Sequence, residues 1–374
     1  MDKKFVMGIA AMAALTLVSC SSDDLDSFSD NSSKNEAISF DGYLGRSAVA
    51  VNGTRGSEET ANTLKTNGFG VFGKYNAGAG QTSNPDFFKN QKVTYSNKKW
   101  TYSPLKYWPT NGQIDFLAYA PYDSEQKLIE NSKLAFEVKP TATEQKDLLW
   151  ANATGQITDK FEDTTKKKVK FQFHHALSRL GYTVKLSGDY SSNATFTLKK
   201  ITLAGSPDET TKAFYKNGTI DLAKTDTKEN LSKTNDPKGL WTAETTADNK
   251  QNFPWVSSDK QVDNTGIKNA ETDYLFVIPQ DFSQDKTTEN PNVDELYVIV
   301  QYTIKYNGGG EQTNTVYKRL KQNFLQGKAY MLNLTIGLPI EFDVDVDTVN
   351  GVDPWEDVND GKGDIDSWDD IEHK

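Results

Sequence analysis

"ELYVIVQYTIKYNGGGEQTNTVYKRL", Glu295 to Leu320, decides the fold class. Leu296, Val298, Val300, Tyr302, Ile304 and Tyr306 fall at every second position, with Tyr297, Ile299, Gln301, Thr303 and Lys305 between them. Successive side chains of a strand point to opposite faces, so this period builds one apolar face on one strand. Asn307-Gly308-Gly309-Gly310 follows with residues that accept positive φ, and the chain turns back into "EQTNTVYKRL" as a hairpin.

The same alternation recurs outward from this hairpin. Ala329 to Ile336 places Tyr330, Leu332, Leu334 and Ile336 on one face. Phe69 to Tyr75, Ile114 to Tyr119, Leu134 to Val138, Val169 to Phe173, Tyr182 to Leu186, Thr195 to Leu203 and Tyr274 to Ile278 read likewise. Hardly anywhere does an apolar period near 3.6 persist for ten residues, so the class is all-β, with short strands assembled into sandwiches or barrels. At 374 residues the chain exceeds one typical core and implies two domains. A charged, Thr-rich break from Phe161 to Lys168 divides them into residues 37–165 and 166–339. Asp221 to Gln261 is polar around isolated Trp241 and Trp255 and is expected to contain a long loop or insertion.

Charge is unevenly placed. The net charge is −10, yet Glu341 to Lys374 holds 13 acids against two lysines, which leaves the preceding 340 residues at +1. A body so close to neutral lacks the basic excess that displaces counterions from phosphates, which argues against a nucleic-acid partner.

At the N-terminus, Lys3 and Lys4 precede an apolar run from Phe5 to Val18 that ends in Leu17-Val18-Ser19-Cys20. A charged start, a short apolar stretch and small residues before the cut make residues 1–19 a secretory signal peptide, too short to remain as a membrane span. The ending resembles a bacterial lipobox, which makes Cys20 the lipidation site. Cys20 is the sole cysteine, so no disulfide forms within one molecule. Several acyl chains at Cys20 would anchor the chain stably in the outer membrane, where a single chain is marginal. Residues 20–36, rich in Ser, Asp and Asn, read as a flexible tether.

Chemistry-bearing constellations are not found in the sequence. The three histidines are His174, His175 and His373, and adjacent His174 and His175 would face opposite sides of a strand. Neither a set of metal ligands nor a nucleophile with its base emerges, and no cofactor is implied. The tail segment "DVNDGKGDID" offers a weak calcium candidate in Asp357, Asn359 and Asp364, but it is one residue short of the EF-hand spacing. Seven tryptophans leave glycan binding by a monomeric surface lipoprotein as an alternative function, although Trp100 and Trp108 lie in an aromatic strand region suited to core packing.

Six segments in order, "WTYSPLKYWP" (Trp100 to Pro109), "IDFLAYAPY" (Ile114 to Tyr122), "QKDLLWA" (Gln145 to Ala151), "FHHALSRLGYTVKL" (Phe173 to Leu186), "YLFVIPQ" (Tyr274 to Gln280) and "GKAYMLNLTIGL" (Gly327 to Leu338), resemble the fimbrillin-like lipoproteins of Bacteroidetes. The resemblance implies two transthyretin-like β-sandwich domains in tandem and a place in a type V pilus. It implies a cell-surface subunit, structural or at the tip, that acts in adhesion, meets a receptor on a host or bacterial surface, and is not an enzyme. An arginine-specific protease would remove the first strand, and other pilin subunits, like or unlike, would supply a strand in its place. The physical logic is strand addition, in which a foreign strand satisfies backbone groups and an apolar groove left open. On that basis the removable strand is residues 37–45, with Ile38, Phe40 and Leu44 facing the groove, and cleavage follows Arg46 or Arg55. Residues 340–374 hold the donor strand and the acidic tail, with Ile340, Phe342, Val344 and Val346 as the groove-facing set. "ISFD" at Ile38 and "IEFD" at Ile340 share one pattern. In an isolated precursor the first strand is expected to fill its own groove.

Overall fold

The computed structural model describes residues 36–44, 58–78, 82–157, 168–224, 240–269, 273–338 and 341–348. Strands dominate them, and the all-β expectation holds. The deciding stretch forms strand Tyr297–Tyr306, paired antiparallel with Glu311–Arg319 from Tyr297↔Arg319 to Lys305↔Glu311. Gly308 takes φ +75° in the turn, a conformation that side chains with a Cβ rarely adopt. Two strands carry too polar a sequence to show a period: Asn84–Ser96, which buries only Phe88 and Val93, and Leu149–Gln156. A single α-helix among the described residues, Ala61–Asn67, is too short for a helical apolar period and buries only Leu64.

Two hydrophobic clusters organise the described residues. The smaller lies between a six-stranded sheet and a two-stranded one. The larger sheet runs in the order His174–His175, Leu149–Gln156, Gln113–Ala120, Phe69–Asn76, Asn84–Ser96 and Lys99–Thr101. The smaller sheet pairs Ser39–Tyr43 with Lys168–Gln172. Phe40 and Phe171 reach from it to Phe88, Phe116 and Phe69 of the larger sheet, so the two layers interlock through rings.

The larger cluster lies between two further sheets. One centres on Ser178–Leu186 paired in parallel with Ala329–Gly337, which pairs in turn with Glu341–Thr348. The other centres on Ala194–Ala204 paired with Tyr297–Tyr306. Leu180, Tyr182, Leu332 and Leu334 meet Phe196, Leu198, Val298 and Val300 in the same core.

Strand pairing departs from the division drawn at residue 165. Lys168–Gln172 and His174–His175 bond to strands of the first cluster. The hairpin of Leu128–Ile129 and Lys133–Glu137 instead joins Asn217–Asp221 and Trp241–Thr242 in one four-stranded sheet. Strand pairing follows which edges are open to pair, not where the composition turns polar. Part of the span Asp221 to Gln261, expected to contain a long loop or insertion, lies outside the described residues, and the described part holds short strands. Phe253–Val256 and Lys260–Val262 pair with Ala194–Ala204, and Trp241 and Trp255 are buried. Strands of two to four residues are too short to show a period, and only the partner strand reveals them.

Trp241 packs within this four-stranded antiparallel sheet. Its ring packs edge-on against Phe136, and its Nε1 donates to the Ala176 carbonyl at 2.5 Å. Trp241→Ala is therefore expected to cost about 3–5 kcal/mol, the usual range for emptying a large aromatic site. A denaturant midpoint that does not move would show that this contact does not hold the two parts of the chain together.

Candidate functional site

The first described strand, Ser39–Tyr43, sits in a slot, paired along one edge and bonded on the other through the residues just before it. On one side it pairs in parallel with Lys168–Gln172 over five positions, and the Phe173 amide donates to the Tyr43 carbonyl at 2.7 Å. On the other side the Ile38 amide donates to the Lys106 carbonyl at 2.8 Å and the Trp108 amide to the Glu36 carbonyl at 2.9 Å. The Tyr102 hydroxyl donates to the Ile38 carbonyl at 2.7 Å. Alternation turns Ile38, Phe40, Gly42 and Leu44 inward, and the three with side chains are 1%, 3% and 1% exposed. Phe40 is the anchor, with ring centroids of Phe88, Tyr102, Phe116 and Phe171 between 5.3 and 5.7 Å from its own. Gly42 lies where the rings of Phe69 and Phe173 approach the backbone.

The last described strand, Glu341–Thr348, is docked on its own chain. It pairs antiparallel with Ala329–Gly337 through eight positions and forms the outer edge of that sheet. Val344 is buried, Phe342 and Val346 are half-buried, and Asp343 and Asp345 are exposed. Asp343 forms an ion pair with Lys318. Its Oδ1 also accepts from the Val344 amide at 2.9 Å, as Asp345 Oδ1 does from the Val346 amide. Asp41 Oδ1 accepts from the Gly42 amide in the same way, at 3.0 Å. The shared Ile-x-Phe-Asp pattern thus makes the same local bond in both strands, one that competes with ladder bonding for the amide.

A buried polar clasp, which the sequence reading missed, secures the chain beyond the first strand. Arg179 forms an ion pair with Glu58, and its guanidinium lies 4.4 Å from the centre of the Tyr274 ring. The Glu59 amide donates to Asp147 Oδ2 at 3.0 Å, and His175 Nδ1 lies 2.6 Å from the same oxygen. Asn67 donates to Glu59 Oε1 at 2.7 Å. Thr60 then caps the helix reciprocally with Thr63. The Thr-x-x-Thr spacing was the one local signal available.

Burial pushes the Glu59 carboxyl up to about 7, with bonds from Thr63 and Asn67 and the charge of His175 opposing the rise and Asp147 adding to it. Between about 4.5 and 7 the unfolded chain ionises this group first, so stability falls as pH rises through that window and levels off above it. Glu59→Gln keeps the site neutral. It should therefore gain on the parent by up to about 3 kcal/mol at pH 8 and by little at pH 5, read from denaturant midpoints at both values. An equal difference at the two pH values would contradict this account.

Several sequence-derived candidates lie outside the described residues: Cys20, Arg46, Arg55, Ile340, Asp357, Asn359 and Asp364. The other two arginines of the chain are engaged, Arg179 as above and Arg319 with Asp285, Glu295 and the Gln284 carbonyl. Among the described residues no three His, Cys, Asp or Glu side chains are placed to hold a metal ion. His175 is buried, while His174 is half-buried against Trp150 on the opposite face. Trp108, Trp150, Trp241 and Trp255 are buried, and Trp100 is half-buried against Phe69. Phe40→Ala is expected to cost about 3–5 kcal/mol, read as a drop in the unfolding midpoint. A loss under about 0.5 kcal/mol would mean that the aromatic slot does not hold the strand.

The chain can be set beside known proteins on this geometry. The sequence pattern of the fimbrillin-like family matches residues 54–355. Fimbrium subunit Fim1C of Phocaeicola vulgatus is 30% identical over 366 residues, spanning 88% of this chain and 91% of that protein. A crystal structure of a fimbrial protein from Bacteroides vulgatus superposes with a TM-score of 0.60 at 20% identity, covering 84% of this chain and 99% of that one. At such identity the superposition speaks for the fold alone. Family pattern and full-length relative agree, and the chain belongs to the fimbrillin-like family.

Proposed function

We propose that this chain is a fimbrial subunit with no enzymatic role, exported as a lipoprotein precursor through Cys20 and displayed at the outer surface. In this reading the first strand is a removable plug. An arginine-specific protease cuts after Arg46 or Arg55, the plug leaves, and a strand of a neighbouring subunit takes its place. Adhesion to a surface receptor is then a property of the assembled fibre.

The observation that carries the proposal is the separate fastening of the two sides of the 45–57 link. Before it, the first strand is held by one parallel ladder and three buried side chains. After it, Glu58 and Glu59 are clasped by Arg179, Asp147 and His175. Loss of the strand would therefore leave the beginning of the remaining chain in place. Each emptied apolar site is worth about 1.5–3 kcal/mol, so the opened slot would strongly favour a replacement strand. The last strand is the donor candidate because it lies at a sheet edge with an alternating face, and donation requires it to leave Ala329–Gly337.

Limited digestion of the full chain tests this reading. An arginine-specific protease is expected to cut in the 45–57 link and to spare Arg179 and Arg319. The cut chain should melt lower, by roughly 2–4 °C for each kcal/mol lost, and recover when a peptide spanning Glu36 to Leu44 is added. A melting temperature indifferent to both cutting and peptide would sink the proposal.

A further inference from the structure

The slot has a shape as well as an alternation. Ile38, Phe40 and Leu44 fill pockets, but the position between Phe40 and Leu44 has none. A Cβ at Gly42 would lie 3.0 Å from Phe69 Cε1 and 3.3 Å from Phe173 Cε2. Both rings are themselves packed against other aromatic side chains. Phe69 is enclosed by Trp100 at 4.8 Å, Phe173 at 5.2 Å and Phe171 at 5.7 Å, and Phe171 also backs Phe173 at 6.1 Å. A β-branched side chain brings two further carbons to a site already tight for one, and overpacked cores do not absorb that without shifting their neighbours.

The chain's own last strand presents the wrong residue there. With "IEFD" laid on "ISFD", Ile340 takes the place of Ile38, Phe342 that of Phe40, and Val344 falls on Gly42. Slipping by two or four residues does not help, because the same face reads Leu338, Ile340, Phe342, Val344, Val346 and Thr348. Slipping by one turns Glu341, Asp343 and Asp345 into the core.

We infer that the slot is closed to branched side chains opposite Phe69 and Phe173, and that its cognate occupant is a strand of a different subunit bearing glycine two residues after its aromatic anchor. Gly42 marks the specificity-determining position, and the last strand of this chain serves another subunit's slot. The inference rests on the strand-replacement reading above and adds partner choice to it.

Peptide exchange on the full chain separates the two. A specific protease site inserted into the 45–57 link allows the folded chain to be nicked with its first strand still seated. Four fluorescent peptides are then titrated: Glu36 to Leu44, the same with Gly42→Val, Leu338 to Thr348, and the same with Val344→Gly. The first is expected to exchange in, the Gly42→Val peptide to bind at least about ten-fold more weakly, and Val344→Gly to improve the last-strand peptide by a similar factor. A last-strand peptide that binds as tightly as the first-strand peptide, or gains nothing from Val344→Gly, overturns the inference. Binding of no peptide, the first included, removes the strand-replacement reading and this inference with it.

Discussion

The ring of Phe40 holds the first layer of this protein together. It enters from a five-residue strand and meets four aromatic rings supplied by residues 88, 102, 116 and 171, so one side chain couples strands far apart in sequence. Backbone pairing and ring packing act jointly there. The parallel ladder to Lys168–Gln172 fixes the register, and the register is what delivers Phe40 to its site and Gly42 to the point of closest approach. A one-residue slip would turn Ser39, Asp41 and Tyr43 inward, which makes register the property that the slot enforces most strictly.

The two terminal strands meet the same physical problem by different routes. A strand at a sheet edge offers backbone groups to any passing chain. The first strand is paired along one edge and bonded on the other through Glu36 and Ile38 at its start, whereas the last lies at the rim and carries four acidic residues, Glu341, Asp343, Asp345 and Asp347, on alternate positions. Two of those carboxylates bond the amides that follow them, and one also pairs with Lys318. The regular acidic alternation thereby discourages indiscriminate edge pairing while leaving an apolar face intact.

Between the terminal strands the chain is less divisible than its composition implies. A hairpin from the first half completes a sheet in the second, and Phe72, Leu117, Tyr119 and Trp150 join the larger core. The Glu58–Arg179 and Glu59–Asp147–His175 contacts add a polar fastening beside the slot. Buried ionisable groups cost desolvation energy and add little net stability when paired, whereas loss of one partner leaves the other buried charge uncompensated and is costly.

By itself the sequence determined the periodicities. Alternation from Tyr297 to Tyr306 and from Ala329 to Gly337, with glycines at the turn, specifies strands and their faces because side-chain direction in a strand is a local, covalent consequence of the backbone. Tertiary structure alone decided who pairs with whom. The short strands Trp241–Thr242 and Phe253–Val256 exist because a neighbouring edge bonds them, and the polar strand Asn84–Ser96 is held by Phe69–Asn76 at its side. The clasp brings together residues 88 and 121 positions apart, and Gly42 owes its significance to two rings from other strands. Such contacts close long loops, and nothing in the local sequence encodes which distant partner will repay the entropy of closing them.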